Sequence, residues 1–526
     1  MARFFNTSGP CAPADHYMLP PEERLPEARR VIDMKRYFVL HAPRQTGKTT
    51  TIAALTASLN AEGRYAAVLA SCEEAQAVGE DINRAVDTVL RDIERKAAVL
   101  PEVLRPSPVE SVGHIDGPSR LGIYLGRWAE QSPKPIVLFL DEIDSLKGNA
   151  LISVLRQIRA SYPNRPARFP HAMALIGMRD VREYTAGNGV ELGTASPFNI
   201  KDRSFLLPNF TAEEVATLYD QHTVESGQEF TVEAKTRAYE LTRGQPWLAN
   251  ALAQQITLDD VTDPKIPINV GHVEAAKETL IQRRGTHIDS LLARLKEKRV
   301  QGVMEPLLAG EYLEGDVMDD DIQLTEDLGL VVSGEMGLEI ANPIYREIVP
   351  RVLTSTLEKQ LRMLRAPYIA PDGRLLFDRF LDDFRAFWLA NAEFFLKRQP
   401  YSEAAAELIF MAYLQKLINS GGYRRGTSID REFAVGSRRI DLLITWALPD
   451  DEIQRCAVEL KVWRRDRDPD PLDEGLEQLS SYLERLGLSE GTLILFDRRP
   501  GAPPLPERAS SSETTHEGRQ ITLLRL

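Results

Sequence analysis

A strongly apolar pentapeptide, Tyr37-Phe38-Val39-Leu40-His41, runs straight into Ala42-Pro43-Arg44-Gln45-Thr46-Gly47-Lys48-Thr49 and then into a helix-prone stretch from Thr50 to Leu59. Few orders of residue type restrict a chain more. The pentapeptide suits a buried parallel strand. The loop after it offers backbone N–H groups and a helix N-terminus to phosphate oxygens, with the helix dipole favouring negative charge. Ala42 to Thr50 are therefore expected to line the phosphates of a nucleotide. Lys48 would reach the β- and γ-phosphates, and the Thr49 hydroxyl would help hold Mg²⁺. Ala42 stands where the strict pattern has glycine. The competing reading is an ordinary strand–turn–helix carrying a chance Gly-Lys-Thr, and the residues downstream bear on it.

Those residues alternate strands and helices. Ala66 to Ala70 reads as a strand, Glu80 to Leu100 as a helix, Pro101 to Pro118 as a proline-rich connection and Ser119 to Gln131 as a helix. Ile136 to Leu140 is a wholly apolar strand that ends in Asp141-Glu142. A buried parallel strand carries its functional residues at its carboxyl end. Asp141 would bind Mg²⁺ directly or through water, and Glu142 would orient and deprotonate an attacking water. After a helix from Asn149 to Ser161, the strand His171 to Met178 delivers Arg179-Asp180 to the same edge. Arg179 is suited either to sensing a γ-phosphate or to a structural ion pair with Asp180 or a neighbour. Ser204 to Leu207 closes the sheet.

Thr211-Ala-Glu-Glu opens a helical stretch with a capping box, and Thr242-Arg243-Gly244-Gln245-Pro246-Trp247-Leu248 follows within it. Taken together, the phosphate loop, the Asp-Glu strand end, the strand-end arginine and the Gly-x-Pro resemble the AAA+/STAND class of P-loop ATPases. The resemblance implies that Pro246 sits against the bound nucleotide and transmits its state; the residues alone say that a helix starts there. Asn269 to Arg299 reads as mostly helical. Met304 to Leu353 reads as helices plus a two-stranded ribbon within Leu328 to Ile340, the pattern of a winged helix, which frequently follows STAND cores. Its role is DNA reading or packing, and the acidic stretch Asp316 to Asp321 favours packing.

Leu357 to Gly373 reads as a linker, Arg374 to Arg398 as an aromatic helix, and Ser402 to Ser420 as a helix containing Glu407. Strands follow at Asp430 to Val435, Arg438 to Thr445 and Cys456 to Val462, then the helix Leu472 to Leu486 and a final strand Thr492 to Phe496. Side chains alternate along a strand, so Glu459 and Lys461 share a face that Asp441 on the next strand can share. Two such carboxylates suit hard divalent cations, which polarise a phosphate and acidify bound water. Lys461 would orient the nucleophile or stabilise developing charge. Residues 402–497 resemble the αβββαβ core of the PD-(D/E)xK nuclease superfamily. Gln478 and Tyr482 match the QxxxY helix motif of its exonuclease-like branch. Glu407 resembles the outer metal ligand of its first helix, with Glu403 one turn away as the alternative. Ile440 replaces the proline of the first motif.

The chain has 526 residues and a net charge of −13, with eight histidines in no ligand spacing and three scattered cysteines. That argues against a disulfide framework, a zinc site and a protein that coats nucleic acid by overall charge. The segment 401–526 is less acidic, with 17 Lys/Arg against 21 Asp/Glu, and clusters arginines at 424–425, 438–439, 464–465 and 498–499. No apolar run approaches the roughly 18 residues of a membrane span, and a cytoplasmic setting without membrane contact is expected.

The expected fold class is multidomain α/β. A P-loop parallel-sheet ATPase core of the ASCE type spans 1–208, a helical lid 209–300 and a winged helix 301–356. A linker and helical lead-in span 357–400, and a restriction-endonuclease-like αβββαβ domain spans 401–526. The expected function is a nucleotide-regulated, ATP-hydrolysing, Mg²⁺-dependent nuclease acting on nucleic acid, DNA first. By analogy alone the setting is prokaryotic genome defence or mobile-element control. The alternative is an ATP-driven switch or scaffold whose nuclease fold binds nucleic acid or a partner without cutting. In a homo-oligomer with ATP between subunits, Arg159, Arg165 and Arg168 are the candidate arginine fingers.

Overall fold

The structure is a computed structural model that describes residues 3–113, 115–179, 200–283, 294–308, 320–334, 337–360, 368–396, 405–420, 427–435, 438–449 and 452–526, a subset of them (430–440 included) by backbone alone. Asp180, Glu403, Arg424, Arg425, the Gly421-Gly422 and Gly436-Ser437 breaks and most of the acidic stretch from Asp316 lie outside the described residues. The chain forms two compact units. One comprises Met1–Val273 with Asp316–Val332, the other Glu274–Gly315 with Ser333–Leu526.

Five strands build the first unit: β1 Tyr37–His41, β2 Ala66–Ser71, β3 Ile136–Asp141, β4 Ala172–Gly177 and β5 Lys201–Leu206. All neighbours are parallel, in the order β2-β3-β4-β1-β5. Helices α1 Pro26–Asp33, α2 Lys48–Glu62, α3 Ile82–Ala97, α4 Gly117–Gln131 and α5 Gly148–Ser161 cover it. Tyr37, Val39, Leu138, Leu140 and Leu175 pack with side chains of α3, α4 and α5. The alternate residues Phe38, Leu40, Val137, Phe139 and Ile176 pack with those of α1 and α2. Burial on both faces explains why β1, β3 and β4 carry no charged residue before their last position.

The lid follows as α6 Ala212–Ser226, α7 Val232–Thr242 and α8 Pro246–Gln254. The expected capping box joins Thr211 and Glu214, and Gly227 ends α6 in the left-handed conformation. Pro246 occupies the first turn of α8, and the Gln245 side chain accepts the Leu248 N–H at 2.6 Å. The chain's beginning packs on this lid, which the sequence did not announce. Phe5 joins Tyr17, Tyr219 and Phe230 in an aromatic cluster. Arg3 pairs with Glu225 at 2.8 Å, and Trp247 donates its indole N–H to the Thr7 carbonyl at 2.8 Å.

Next in chain order come α9 Val270–Arg283, α10 Lys298–Leu308, α11 Asp320–Asp327, β6 Val331–Gly334, β7 Gly337–Ile340 and α12 Pro343–Gln360. The helices and the two-stranded ribbon expected between Met304 and Leu353 are thus present, β6 pairing with β7. The expected linker from Leu357 is corrected in part. Helix α12 continues to Gln360, and Tyr368 and Leu375 are buried in the core of the C-terminal unit. The aromatic helix α13 Phe377–Leu396 supplies Phe380, Phe384 and Trp388 to that core.

The expected αβββαβ order is present: α14 Ala405–Ser420, β8 Ser428–Val435, β9 Arg438–Ala447, β10 Ile453–Trp463, α15 Leu472–Leu486 and β11 Glu490–Asp497. However, β11 is not the last strand. β12 Ser510–His516 and β13 Arg519–Arg525 extend the sheet to the order β12-β13-β11-β10-β9-β8. A turn at Glu517-Gly518, both with positive φ, joins them, which is hairpin geometry. The sequence concealed it because β12, Ser-Ser-Ser-Glu-Thr-Thr-His, has no apolar residue to alternate.

Gly244 and Gly227 give a matched test. Both have positive φ, but a Cβ on Gly244 would lie 1.8 Å from the Phe210 carbonyl oxygen, whereas one on Gly227 would meet nothing within 4 Å. Gly227→Ala should cost about 1–2 kcal/mol, the left-handed penalty alone, and Gly244→Ala clearly more. Thermal unfolding of both variants checks this: equal shifts would remove the close approach of Gly244 to Phe210 as a constraint on the lid.

Candidate active sites

At the carboxyl edge of the first sheet, β1 ends at His41 and the loop curls back through positive φ at Gln45 (61°) and Gly47 (90°). Left-handed Gly47 caps α2, so the helix begins at Lys48, two residues earlier than expected. The Lys48 side chain is 8% exposed and folds over its own loop, with Nζ donating to the Ala42 and Pro43 carbonyls at 2.7 and 2.8 Å. Burial pushes its pKa down, against the pull of Glu142, Asp141 and Asp144. Thr46 Oγ1 donates to the Pro43 carbonyl, tightening the turn.

Strand β4 lies between β1 and β3, so about two strand spacings, roughly 10 Å, separate the loop's strand from Asp141. Helix α2 starts over that gap. Thr49 Oγ1 donates to Asp141 Oδ2 at 2.7 Å, and the other carboxylate oxygen accepts the Glu142 N–H at 2.9 Å. Two hard oxygens at such spacing suit Mg²⁺. Glu142 adopts left-handed backbone, φ 53° and ψ 42°, which turns its side chain out of strand register. Burial raises its pKa, helped by Asp144 and Asp141 and opposed by Lys48 and Arg44. Arg179 is half-buried two residues beyond β4, between the two motifs. Arg165 and Arg168 belong to the other edge. Arg165 stacks on Tyr162 and bonds the Lys35 carbonyl, beside the amino end of β1, and Arg168 pairs with Glu130.

Beside the loop opens a cavity of about 700 Å³, its mouth included. Gly47 and Thr50, the lid residues Phe210, Pro246 and Asn250, and the N-terminal Leu19 are among its walls. Arg24, which the sequence reading missed, clamps this wall. Its guanidinium donates to the Thr46 and Pro208 carbonyls at 2.9 and 2.5 Å and lies over the Phe210 ring. Burial lowers its pKa to about 10. On the other side of the loop, a Cβ on Gly329 would lie 2.5 Å from the Pro43 ring, and Asp327 sits 3.5 Å from His41 Nδ1.

In the C-terminal unit, Leu442, Ile444, Val458 and Leu460 pack with residues of α14, while Leu443 and Ala457 pack with residues of α15. By alternation Asp441, Glu459 and Lys461 take the α15 face. Asp441 Oδ2 accepts the Leu460 N–H at 2.7 Å. Lys461 Nζ lies 3.3 Å from Glu459 Oε1, 2.6 Å from Gln478 Oε1 and 3.4 Å from Glu474 Oε1. Glu474, one turn before Gln478, was not foreseen. Glu459 is 2% exposed, and its Oε2 has no hydrogen-bond partner among the described residues. Burial, then Asp441, pushes Glu459 well above the usual carboxylate range. Burial alone would lower Lys461, but Glu459, Asp441 and Glu474 outweigh it and the net direction is up. Tyr482 is buried one turn beyond Gln478 and packs with Leu479 and Leu483. Glu407 is buried on α14, whose neighbours Ala406 and Ile409 pack on the opposite face of the sheet. Among the described residues no group of three or more His, Cys, Asp or Glu converges as a metal cage.

No protein-family model matches the chain, and no curated protein does. Among solved structures, the Walker-type ATPase PABY2304 of Pyrococcus abyssi is similar, with 12% identity over 66% of this chain and 99% of that one, at a TM-score of 0.46. The Holliday junction branch migration motor RuvB of Thermotoga maritima aligns over 62% and 93%, with 13% identity and a TM-score of 0.32. Cdc6p of Pyrobaculum aerophilum aligns over 66% and 96%, with 13% identity and a TM-score of 0.36. No described helix is long and apolar enough to cross a membrane.

The roles expected of Lys48 and Glu142 are separable by experiment. Lys48→Ala should weaken ATP binding by roughly ten- to a hundredfold, the worth of a charge-assisted contact. Glu142→Gln should keep binding and lose hydrolysis by about 10²–10⁴-fold, the range of a general base. Titration calorimetry beside a phosphate-release assay reads both, and unchanged hydrolysis in Glu142→Gln would take that residue out of the chemistry.

Proposed function

We propose that the chain binds and hydrolyses ATP with Mg²⁺ at the first site and, under control of that nucleotide, cleaves nucleic-acid phosphodiesters at the second. The first half rests on Thr49 and Asp141, 92 residues apart in sequence yet hydrogen-bonded at the carboxyl edge of a parallel sheet. The loop's N–H groups and Lys48 hold the phosphates there. Thr49 and Asp141 hold the cation, and Glu142 orients and deprotonates the attacking water. Arg179 faces the γ-phosphate and Pro246 the nucleoside.

The second half is carried by one observation, the convergence of Asp441, Glu459, Lys461 and Gln478 on one face. Asp441 and the unpaired Oε2 of Glu459 are fitted to a divalent cation, whereas Glu407, expected as the outer ligand, sits on the helix that packs on the opposite face of the sheet and is not counted in the set. A bound cation would supply charge for the scissile phosphate and a more acidic water. Lys461, steadied by Gln478, orients the nucleophile or meets the charge that develops on the phosphate. Tyr482 supports the helix that carries Gln478. DNA is the first substrate class to test, and genome defence or mobile-element control is the setting by analogy.

The non-cleaving scaffold keeps one observation on its side: Glu459 and Asp441 find no third acidic or histidine ligand among the described residues. Cleavage assays of the full chain on linear, circular and single-stranded DNA and on RNA, with and without ATP and Mg²⁺, separate the readings. Asp441→Asn retains an acceptor for the Leu460 N–H but loses the charge. It, Glu459→Gln and Lys461→Ala should each lose cleavage by about 10²–10³-fold or more, with non-additive combinations. Gln478→Ala should lose less. Robust cutting by Asp441→Asn would favour the scaffold.

Pro246 is the proposed link between the sites. A nucleotide shifts an equilibrium only through contacts that differ between states, and such coupling is typically about 1–3 kcal/mol, or roughly 5- to 150-fold. Pro246→Ala should therefore leave ATP binding measurable while flattening the dependence of cleavage on ATP, ADP or no nucleotide. Identical wild-type rates under all three conditions would leave two independent enzymes on one chain.

A further inference from the structure

Helix α8 is apolar from Trp247 to Ala253 except at one position, Asn250. Asn250 is 8% exposed and lines the cavity beside the phosphate loop. Its amide orientation is fixed, because Nδ2 donates to the Pro246 carbonyl at 2.8 Å one turn earlier. Oδ1 is then left without a hydrogen-bond partner among the described residues. Orphaning a buried oxygen is costly, and most buried side-chain polar atoms are paired. Leucine would fill the same space without that cost, so packing does not account for an amide here.

Several other polar groups of the same wall are engaged. Asn6 donates to the Gly9 carbonyl and accepts the Ser8 N–H. Thr50 Oγ1 accepts the Cys11 N–H. Arg24 is committed to the Thr46 and Pro208 carbonyls. The rest of the lining includes Leu19, Phe210, Leu218 and Pro246, apolar surfaces suited to the faces of a flat ring. With phosphates on Gly47 and Lys48, the nucleoside has this cavity next to it.

Resting on the ATP reading above, we infer that Asn250 reads the base and selects adenine. Its free Oδ1 accepts from the exocyclic 6-amino group. The second N–H of Nδ2, not used by Pro246, donates to an adjacent ring nitrogen. This paired donor and acceptor is the amide's known match to adenine. Guanine presents a carbonyl oxygen where adenine presents its amine, and two acceptors then face each other.

The test is titration of the full chain with ATP, GTP and purine riboside 5′-triphosphate, which has adenine's ring nitrogens but no 6-amino group. Wild type should bind ATP about tenfold or more tightly than either analogue, the discrimination of one good amide–adenine pair. Asn250→Leu should lose about tenfold for ATP and close the gap to purine riboside triphosphate, with circular dichroism unchanged. Equal wild-type affinities for ATP and purine riboside triphosphate would overturn the inference without any variant. So would a gap that survives in Asn250→Leu. Wild type that binds none of the three would bring down the ATP reading itself, a result distinguishable from both.

Discussion

The hydroxyl of Thr49 reaches Asp141 across the width of strand β4, and the first site depends on that span. With β1 and β3 adjacent, the start of α2 and the end of β3 would crowd each other. With two strands between them, one hydrogen bond would not reach. The intervening strand leaves room at the edge of the sheet for Arg179 and for the turned backbone of Glu142. Five parallel strands all end there, so each contributes its last residue to the same rim. The packing that enforces this is insensitive to the chemistry: Tyr37, Val39, Leu138 and Leu140 on one face and Phe38, Leu40, Val137 and Phe139 on the other.

The two units solve a shared problem in the same way. A carboxylate that is to meet a cation must be oriented before the cation arrives, without its charge being neutralised. Asp141 is held by the N–H of Glu142, and Asp441 by the N–H of Leu460. A backbone amide fixes the carboxylate's plane and leaves its charge intact, which an arginine would not. Glu459 goes further: it is buried, close to Asp441 and balanced only in part by Lys461. Two like charges in a poorly solvated place raise one another's proton affinity. On the proposed function, a divalent ion is the ligand that would relieve such a pair.

Legibility in the sequence followed the kind of interaction. Strands buried on both faces announced themselves by continuous apolar runs, and β1, β3 and β4 lie within a residue of where those runs placed them. Helix α15 has the expected limits, and it brings Gln478 to Lys461. What stayed hidden was polar or remote. The edge strand β12 has no apolar period. Arg24 is one arginine among many until Thr46 and Pro208 are brought to it. Asn250 sits in an alanine-rich helix where nothing but the cavity singles it out. The linker expected from Leu357 misled because a sequence pattern cannot show which neighbour a helix packs on: α12 runs on to Gln360 and packs on α14 within the C-terminal unit.

The N-terminal segment shows how far the site extends beyond its motifs. Residues 3–19 touch the lid at Glu225, Gln221, Trp247 and Gln254, more than 200 positions away, and reach the phosphate-loop helix at Thr50. Contacts so distant in sequence form only when the lid has folded, and closing such loops costs entropy before the contacts repay it. The cavity wall is therefore assembled from segments far apart in the chain. A ligand filling it binds the assembled arrangement and not the opened one. It stabilises core, lid and N-terminal segment together, by an amount that grows with the logarithm of its concentration over Kd. On the proposed function, nucleotide would act on this unit as a structural component as well as a substrate. The segment is the part on which that linkage bears most directly, because its hold on the core is through the cavity wall rather than through the sheet.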